Sequence, residues 1–417
     1  MSAETCSKDA LDSADRLDWR LMLPLFGIVT LYAAGIGAVL PVLPFHLREM
    51  GASPLIFGLV LATEALSQSA ASPLLGQLSD RFGRKRVLLA SQTVAVVSLL
   101  LLALAQSILT VLLARFLFGF TAGNFSAAAA YAADNSSPAT RRQAIGIANA
   151  GLGLGAIIGA GLSSVLSDIS LTAPIYLALV LSASGIVVTA FGLKGGKVAK
   201  QAAAGADRDK ISLRAITSSP AIRVLIVVML CHFFAYGMYT SQLPNFLTDR
   251  FVWNGHAFGP REFSYIIAAD GVINILVQLF LLGWLGRYFS ERRLIILIFA
   301  LLGTGFVSAG LASTIPALAL AVLCISTADA LAKPTYLAAL SVHVPSERQG
   351  VVMGTGQALV AVTDIASPVL AGFILGSGLY GAWIGTVVAI ALVGAVTAAT
   401  RLPRHGDPET TAPARGT

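Results

Sequence analysis

The 417-residue chain is 56% hydrophobic and only 12% charged, with a formal charge of +7 and a mean hydropathy of +0.79. A water-soluble domain carries about 25% charged residues, so this chain has too little polar surface to cover a water-facing globule, and lipid is its expected solvent. Its three cysteines (Cys6, Cys231 and Cys324) form no Cys-x-x-Cys or Cys/His cluster, so neither a zinc site nor a disulfide framework is indicated.

Residues 1–19 hold five carboxylates (Glu4, Asp9, Asp12, Asp15 and Asp18) and no apolar run. They read as a polar tail rather than a cleavable signal, and the first apolar helix is expected to act as its own insertion signal. Apolar stretches of spanning length, about 20 residues each, follow at 20–42, 55–78, 87–105, 108–131, 144–166 and 172–192. Residues 193–221 are polar, basic and rich in Gly and Ala and read as a linker. Six more stretches lie at 222–247, 261–285, 293–312, 315–340, 350–375 and 380–400, and a Pro-rich polar tail, 401–417, closes the chain. Backbone groups in lipid must be hydrogen-bonded within their own segment, so the stretches are predicted to be helices. The expected architecture is therefore all-α and membrane-integral, with twelve transmembrane helices in two six-helix bundles, 20–192 and 222–400.

The distribution of Lys and Arg gives these spans an expected orientation. With both termini inside, the inner segments hold 23 of the 28 cations: three at 8–20, four at 81–86, two at 141–142, seven at 194–223, three at 287–293, one at 348 and three in the C-terminal tail. The outer face holds Arg48, Arg250 and Arg261, and Arg115 and Lys333 lie within spans. The positive-inside rule demands this asymmetry, which accounts for the basic balance without nucleic acid. Both termini are thus expected in the cytoplasm, with the protein in the inner (cytoplasmic) membrane.

The two halves show related spacing. Asp80-Arg81-Phe82 is matched by Gly286-Arg287-Tyr288 and Arg142-Gln143 by Arg348-Gln349, both at an offset of 206. Leu43-Pro44 and Leu243-Pro244 pair at an offset of 200, and the six extra residues fit a longer loop around Trp253-Asn254-Gly255. Duplicated transporters show such pseudo-symmetry.

Between spans two and three runs Gly76-Gln77-Leu78-Ser79-Asp80-Arg81-Phe82-Gly83-Arg84-Lys85-Arg86. A topology signal needs only the cations; Gly76 and Gly83, which permit close approach and a positive-φ turn, and Asp80 are additional. This string resembles the signature loop of the major facilitator superfamily. Further along, Gly35-Ile36-Gly37 with Leu40-Pro41-Val42-Leu43-Pro44, then Gln68 and Pro73, Arg115 to Gly119 with Thr121, and Tyr131-Ala132-Ala133-Asp134 resemble the first, second and fourth helices of its drug/proton antiporter group. The run Gly151-Leu152-Gly153-Leu154-Gly155 to Gly159 and Gly161 is similar to the antiporter motif of helix five. Two positions depart: Gly159-Ala160 stands where the motif reads Gly-Pro, and Tyr32 stands where the tetracycline exporters carry Asp.

The resemblance implies the major facilitator fold, alternating access and a proton gradient as energy source, with no cofactor. It also implies that Asp80, Arg81 and Arg84, with Asp134, Arg141 and Arg142, form a charge cluster latching the inner side. Gly151, Gly155 and Gly159 are four apart and line one helix face, which admits close packing of a neighbour or a seal against the other half. Ionisable residues inside spans are costly and mark ion or substrate paths; the proton-coupling candidates are Glu64, Arg115, Asp270, Asp329, Lys333 and Asp364. Arg115 matches the family position implicated in proton transfer, with Glu64 as its carboxylate partner. Asp329 and Lys333, one turn apart, are expected to pair.

Candidates to line a substrate cavity are Tyr32, Gln68, Asn124, Asn149, His232, Tyr236, Tyr239, Gln242, Asn274, Gln278, Tyr336 and Gln357. His232, Tyr236 and Tyr239 fall on one helical face. No phosphate-binding loop, Gly-x-Ser-x-Gly elbow or metal-ligand cluster occurs, so no enzyme activity is expected. The expected function is proton-coupled export of a small amphipathic compound, such as a drug, antibiotic or secondary metabolite, by a monomer. The alternatives are an uptake permease of the same fold for a siderophore, sugar or organic acid, and a non-transporting membrane scaffold or enzyme.

Overall fold

A computed structural model describes residues 17–137, 140–193, 219–342 and 349–402. Residues 194–218 of the predicted 193–221 linker, residues 1–16 and 403–417 of the predicted tails, and the Arg142 side chain lie outside the described residues. Among those described, eleven helices are long and apolar enough to cross a membrane. They begin with Trp19–Glu49, Pro54–Phe82, Arg84–Ala103, Gln143–Leu166 and Ala173–Gly192. Pro220–Arg250, Pro260–Tyr288, Glu291–Leu311, Ile315–Ser341, Gly354–Gly376 and Tyr380–Arg401 complete them. The predicted fourth span is a broken helix: Ile108–Gly119 ends in a 3-10 turn, Phe120–Ala122, and resumes as Gly123–Asp134. The spans are numbered one to twelve with this broken helix as the fourth.

Helix starts carry the capping chemistry expected of them. The Asp18 carboxylate accepts from Arg20 N at 2.9 Å. Ser53 precedes Pro54, an arrangement suited to a first turn, and Ser107 accepts from Thr110 N at 3.3 Å. Prolines 24, 73, 244, 334 and 368 lie inside spans, where neighbouring helices and hydroxyl groups satisfy the freed backbone. Between spans seven and eight, the residues read as a longer loop contain a two-stranded hairpin pairing Val252 with Ala257 and Trp253 with His256. Asn254 (φ 48°) and Gly255 (φ 88°) form its turn, as a two-residue hairpin connection requires.

Two compact units are distinguished by their internal packing: Met1–Ala204 with Phe258–Gly271, and Gly205–Ala257 with Val272–Thr417. In the first, span five lies along span one. A Cβ at Gly151 would meet Phe26 O and Thr30 Oγ1 at 3.1 Å, while Cβ atoms at Gly155 and Gly159 would strike the carbonyls of Thr30 and Ala34. Ser163 Oγ donates to Ala38 O at 2.9 Å, extending the same seam. The predicted small-residue face is thus occupied by span one of its own unit. In the second unit, spans seven and twelve are pinned by Trp383, which is fully buried, donates from Nε1 to Met238 O at 3.1 Å and stacks on Tyr239 at 5.9 Å; Tyr239 in turn meets Phe306 of span nine at 5.0 Å. Large apolar side chains such as Leu109, Phe191, Phe280 and Leu311 are exposed, a surface that belongs in lipid rather than water.

Candidate functional site

In the first unit, span two carries Glu64 and Ser67 on one face. Gly119 of span four packs directly onto them: a Cβ there would lie 2.6 Å from both Glu64 O and Ser67 Cβ. Ser67 Oγ donates to Phe116 O at 2.6 Å and fixes the crossing. This approach brings Arg115 Nη2 to 2.5 Å from Glu64 Oε2. The Arg115 side chain is 3% exposed and that of Glu64 is 21% exposed. The guanidinium also lies over the Phe118 ring at 4.8 Å, while its Nε has no partner. Tyr32 of span one faces Thr121 and is within electrostatic range of both charges. Tyr32 and Asn124 line a small internal cleft with Gln92 and Ser182, and neither amide atom of Asn124 has a partner.

The loop between spans two and three centres on Arg84. Its Nη1 lies 2.7 Å from Asp80 Oδ1 and its Nε 3.0 Å from Asp134 Oδ2 at the end of span four. Nη1 also donates to Ser79 Oγ at 3.0 Å. Gly83, at φ 93°, makes the turn that brings Arg84 back over span two. Arg81 lies over the Phe82 ring instead, and Arg141 is exposed. Lys85, which the sequence reading left out of the cluster, donates to the carbonyls of Ala190 and Leu193, both at 2.8 Å. It thereby caps the end of span six, where the last carbonyls lack helical partners.

In the second unit, Asp329 does not pair with Lys333 as its spacing predicts. Its Oδ1 stands 3.5 Å from Nε2 of the fully buried His232, because span seven presents the imidazole to span ten while Lys333 is exposed. His232 stacks on Tyr236 at 6.2 Å and meets Tyr336 edge-on at 5.5 Å. Tyr239, one turn further on, joins the Trp383 and Phe306 cluster rather than His232. Gln242 is fully buried; it accepts from Asn245 Nδ2 at 2.9 Å and donates to Pro368 O at 3.5 Å. It therefore ties span seven to span eleven. Asn274 accepts from Gln278 at 2.7 Å, beside a π-helical turn, Val277–Leu281, in span eight. Asp270 is half-buried on the same span, whereas Gln68, Asn149, Gln357 and Asp364 are exposed. Among the described residues, no group of three His, Cys, Asp or Glu side chains is placed to hold a metal ion.

Bundles of apolar spanning helices with charged groups buried among them define a multi-pass membrane protein, and its family makes it a transporter. The chain belongs to the Major Facilitator Superfamily, whose family model matches residues 25–362 and 251–416. It is 31% identical over 361 residues to the class C tetracycline resistance protein of Escherichia coli, covering 84% of this chain and 88% of that protein. Identity to the class G tetracycline resistance protein of Vibrio anguillarum is 32% over 371 residues, 86% and 91% of the two chains. Multidrug resistance protein 2 of Bacillus subtilis is 26% identical over 348 residues, 82% of this chain and 85% of that one. Among solved structures, the nucleoside transporter NupG matches with a TM-score of 0.76 at 16% identity, covering 90% of this chain and 98% of NupG, a likeness of fold.

Proposed function

We propose that this transporter exports a small amphipathic compound, of the drug or antibiotic kind, in exchange for protons and by alternating access. The reading is carried by the buried Arg115–Glu64 ion pair and supported by relatives that are tetracycline and multidrug resistance proteins. Arginine does not release its proton under ordinary conditions, so Glu64 is the member of the pair that changes charge. Protonating Glu64 strips a buried guanidinium of its counter-charge, a costly state in low dielectric. The crossing of spans two and four then favours rearrangement, which links proton uptake to motion. The Arg84 cluster, bridging span two, span three and the end of span four, acts as the latch on the cytoplasmic side. The protein works as a monomer in the inner membrane with both termini cytoplasmic, and it needs the proton gradient but no cofactor.

Expression in an efflux-deficient host with a resistance panel is expected to reveal at least one compound whose tolerance rises. That compound should accumulate in inverted vesicles on acidification of their interior. Accumulation in right-side-out vesicles instead would establish uptake and overturn the export reading.

A further inference from the structure

The second unit holds a titratable cluster that the Glu64–Arg115 pair does not involve. Neither ring nitrogen of the fully buried His232 has a hydrogen-bond partner. Asp329 Oδ1 is 3.5 Å from Nε2, within ion-pair range but beyond a good hydrogen bond. Phe233, Tyr236, Phe299 and Tyr336 pack around the ring with centroids 5.1–6.2 Å away. The titratable groups facing it are thus Tyr236 from span seven and Asp329 and Tyr336 from span ten, with Cys231 within electrostatic range of Tyr336; Phe299 of span nine brings none. Asp329 has a second cation within reach. Lys333 lies one turn along the same helix, a spacing at which side chains meet. It is exposed, and its charge acts on Asp364 of span eleven.

We propose that Asp329 is a switch carboxylate that alternates between His232 and Lys333, giving the second unit its own proton-binding site at His232. A proton arriving on the Nε2 lone pair makes an imidazolium that donates to Asp329, and spans seven and ten are held together. The paired charges cost less to bury than a lone carboxylate beside a neutral ring. When the proton leaves Nε2, the neutral ring no longer holds the anion, and Asp329 turns to Lys333 and releases span seven. Imidazole suits this task because it ordinarily changes charge near neutrality, and the inference stands whether or not Glu64 carries a proton.

The test uses the full-length protein in lipid nanodiscs with isotope-labelled histidine. The chain has five histidines, so His232 is identified by difference against His232→Gln. Asp329→Asn removes the anion and should move half-protonation of the ring down by about one pH unit. Lys333→Gln removes the competing cation and should move it up by roughly half a unit, while Glu64→Gln should leave it unchanged. Lys333 is exposed, so its variant keeps the fold and the test stands even where Asp329→Asn does not express. A titration unmoved by Lys333→Gln, or displaced by Glu64→Gln, overturns the switch. Loss of the Glu64 role is read separately, by proton exchange, and leaves these shifts in place.

Discussion

Replacing Glu64 by Gln keeps the side-chain shape and removes one charge, leaving Arg115 buried without its partner. Breaking a buried ion pair costs about 3–5 kcal/mol; Glu64 keeps 21% of its surface, which places the cost near the lower end, at about 3 kcal/mol. That corresponds to roughly a hundredfold change in the folded-to-unfolded ratio. The double change Glu64→Met with Arg115→Met replaces both charges by apolar groups and should recover most of the stability, but not the exchange of protons. Stability is read in denaturant by loss of helical circular dichroism for this first unit and by exposure of Cys324, which is buried in span ten, for the second. Function is read as substrate-driven proton movement in proteoliposomes. Proton exchange that survives Glu64→Gln, or a stability loss below about 0.5 kcal/mol, refutes the assignment of Glu64 as the coupled carboxylate.

Gly155→Leu should abolish accumulation of folded protein in the membrane, because its side chain would enter the Thr30 and Ala34 backbone; Gly161→Ala, which meets nothing within 4 Å, should express as the parent. Fluorescence of a C-terminal reporter after detergent size-exclusion separates the two. Asp134→Asn should lower transport several-fold at unchanged expression by removing one of the two carboxylates on Arg84, and full activity would reduce the loop to a topology signal. Gln242→Leu should cost about 1–3 kcal/mol by orphaning Asn245 and the Pro368 carbonyl, measured by the same thiol-exposure assay.

The helices were legible because spanning length and low charge leave few alternatives in lipid, and the loop at 76–86 was legible because its glycines and Asp80 have no use in a bare topology signal. Glu64 and Arg115 were found together because an intramembrane charge demands a partner. Pairings that depend on which helix turns toward which were not legible. Spacing along span ten predicts Asp329 with Lys333, yet packing of span seven supplies His232 first. Within the loop, sequence treats Arg81, Arg84 and Lys85 alike as cations, and only the direction set by Gly83 separates a hub, a helix cap and a residue lying on Phe82. The sequence reading has Asn254-Gly255 only as part of a longer loop, although its preference for positive φ at both turn positions is the local signal of a two-residue hairpin.

The break in span four sets how two ionic contacts are clocked on a single rod. Arg115 and Asp134 lie nineteen residues apart, and an unbroken α-helix, at 100° per residue, would face them about 100° from each other. Three residues of 3-10 winding, at 120° each, add roughly 60°, so Asp134 is turned nearly to the opposite side from Arg115. One end of the rod thus meets Glu64 while the other meets Arg84. Any rewinding of residues 120–122 toward regular α geometry would rotate one contact out of register with the other. The short turn therefore sets the angle between the Glu64 contact at one end of the rod and the Arg84 contact at the other.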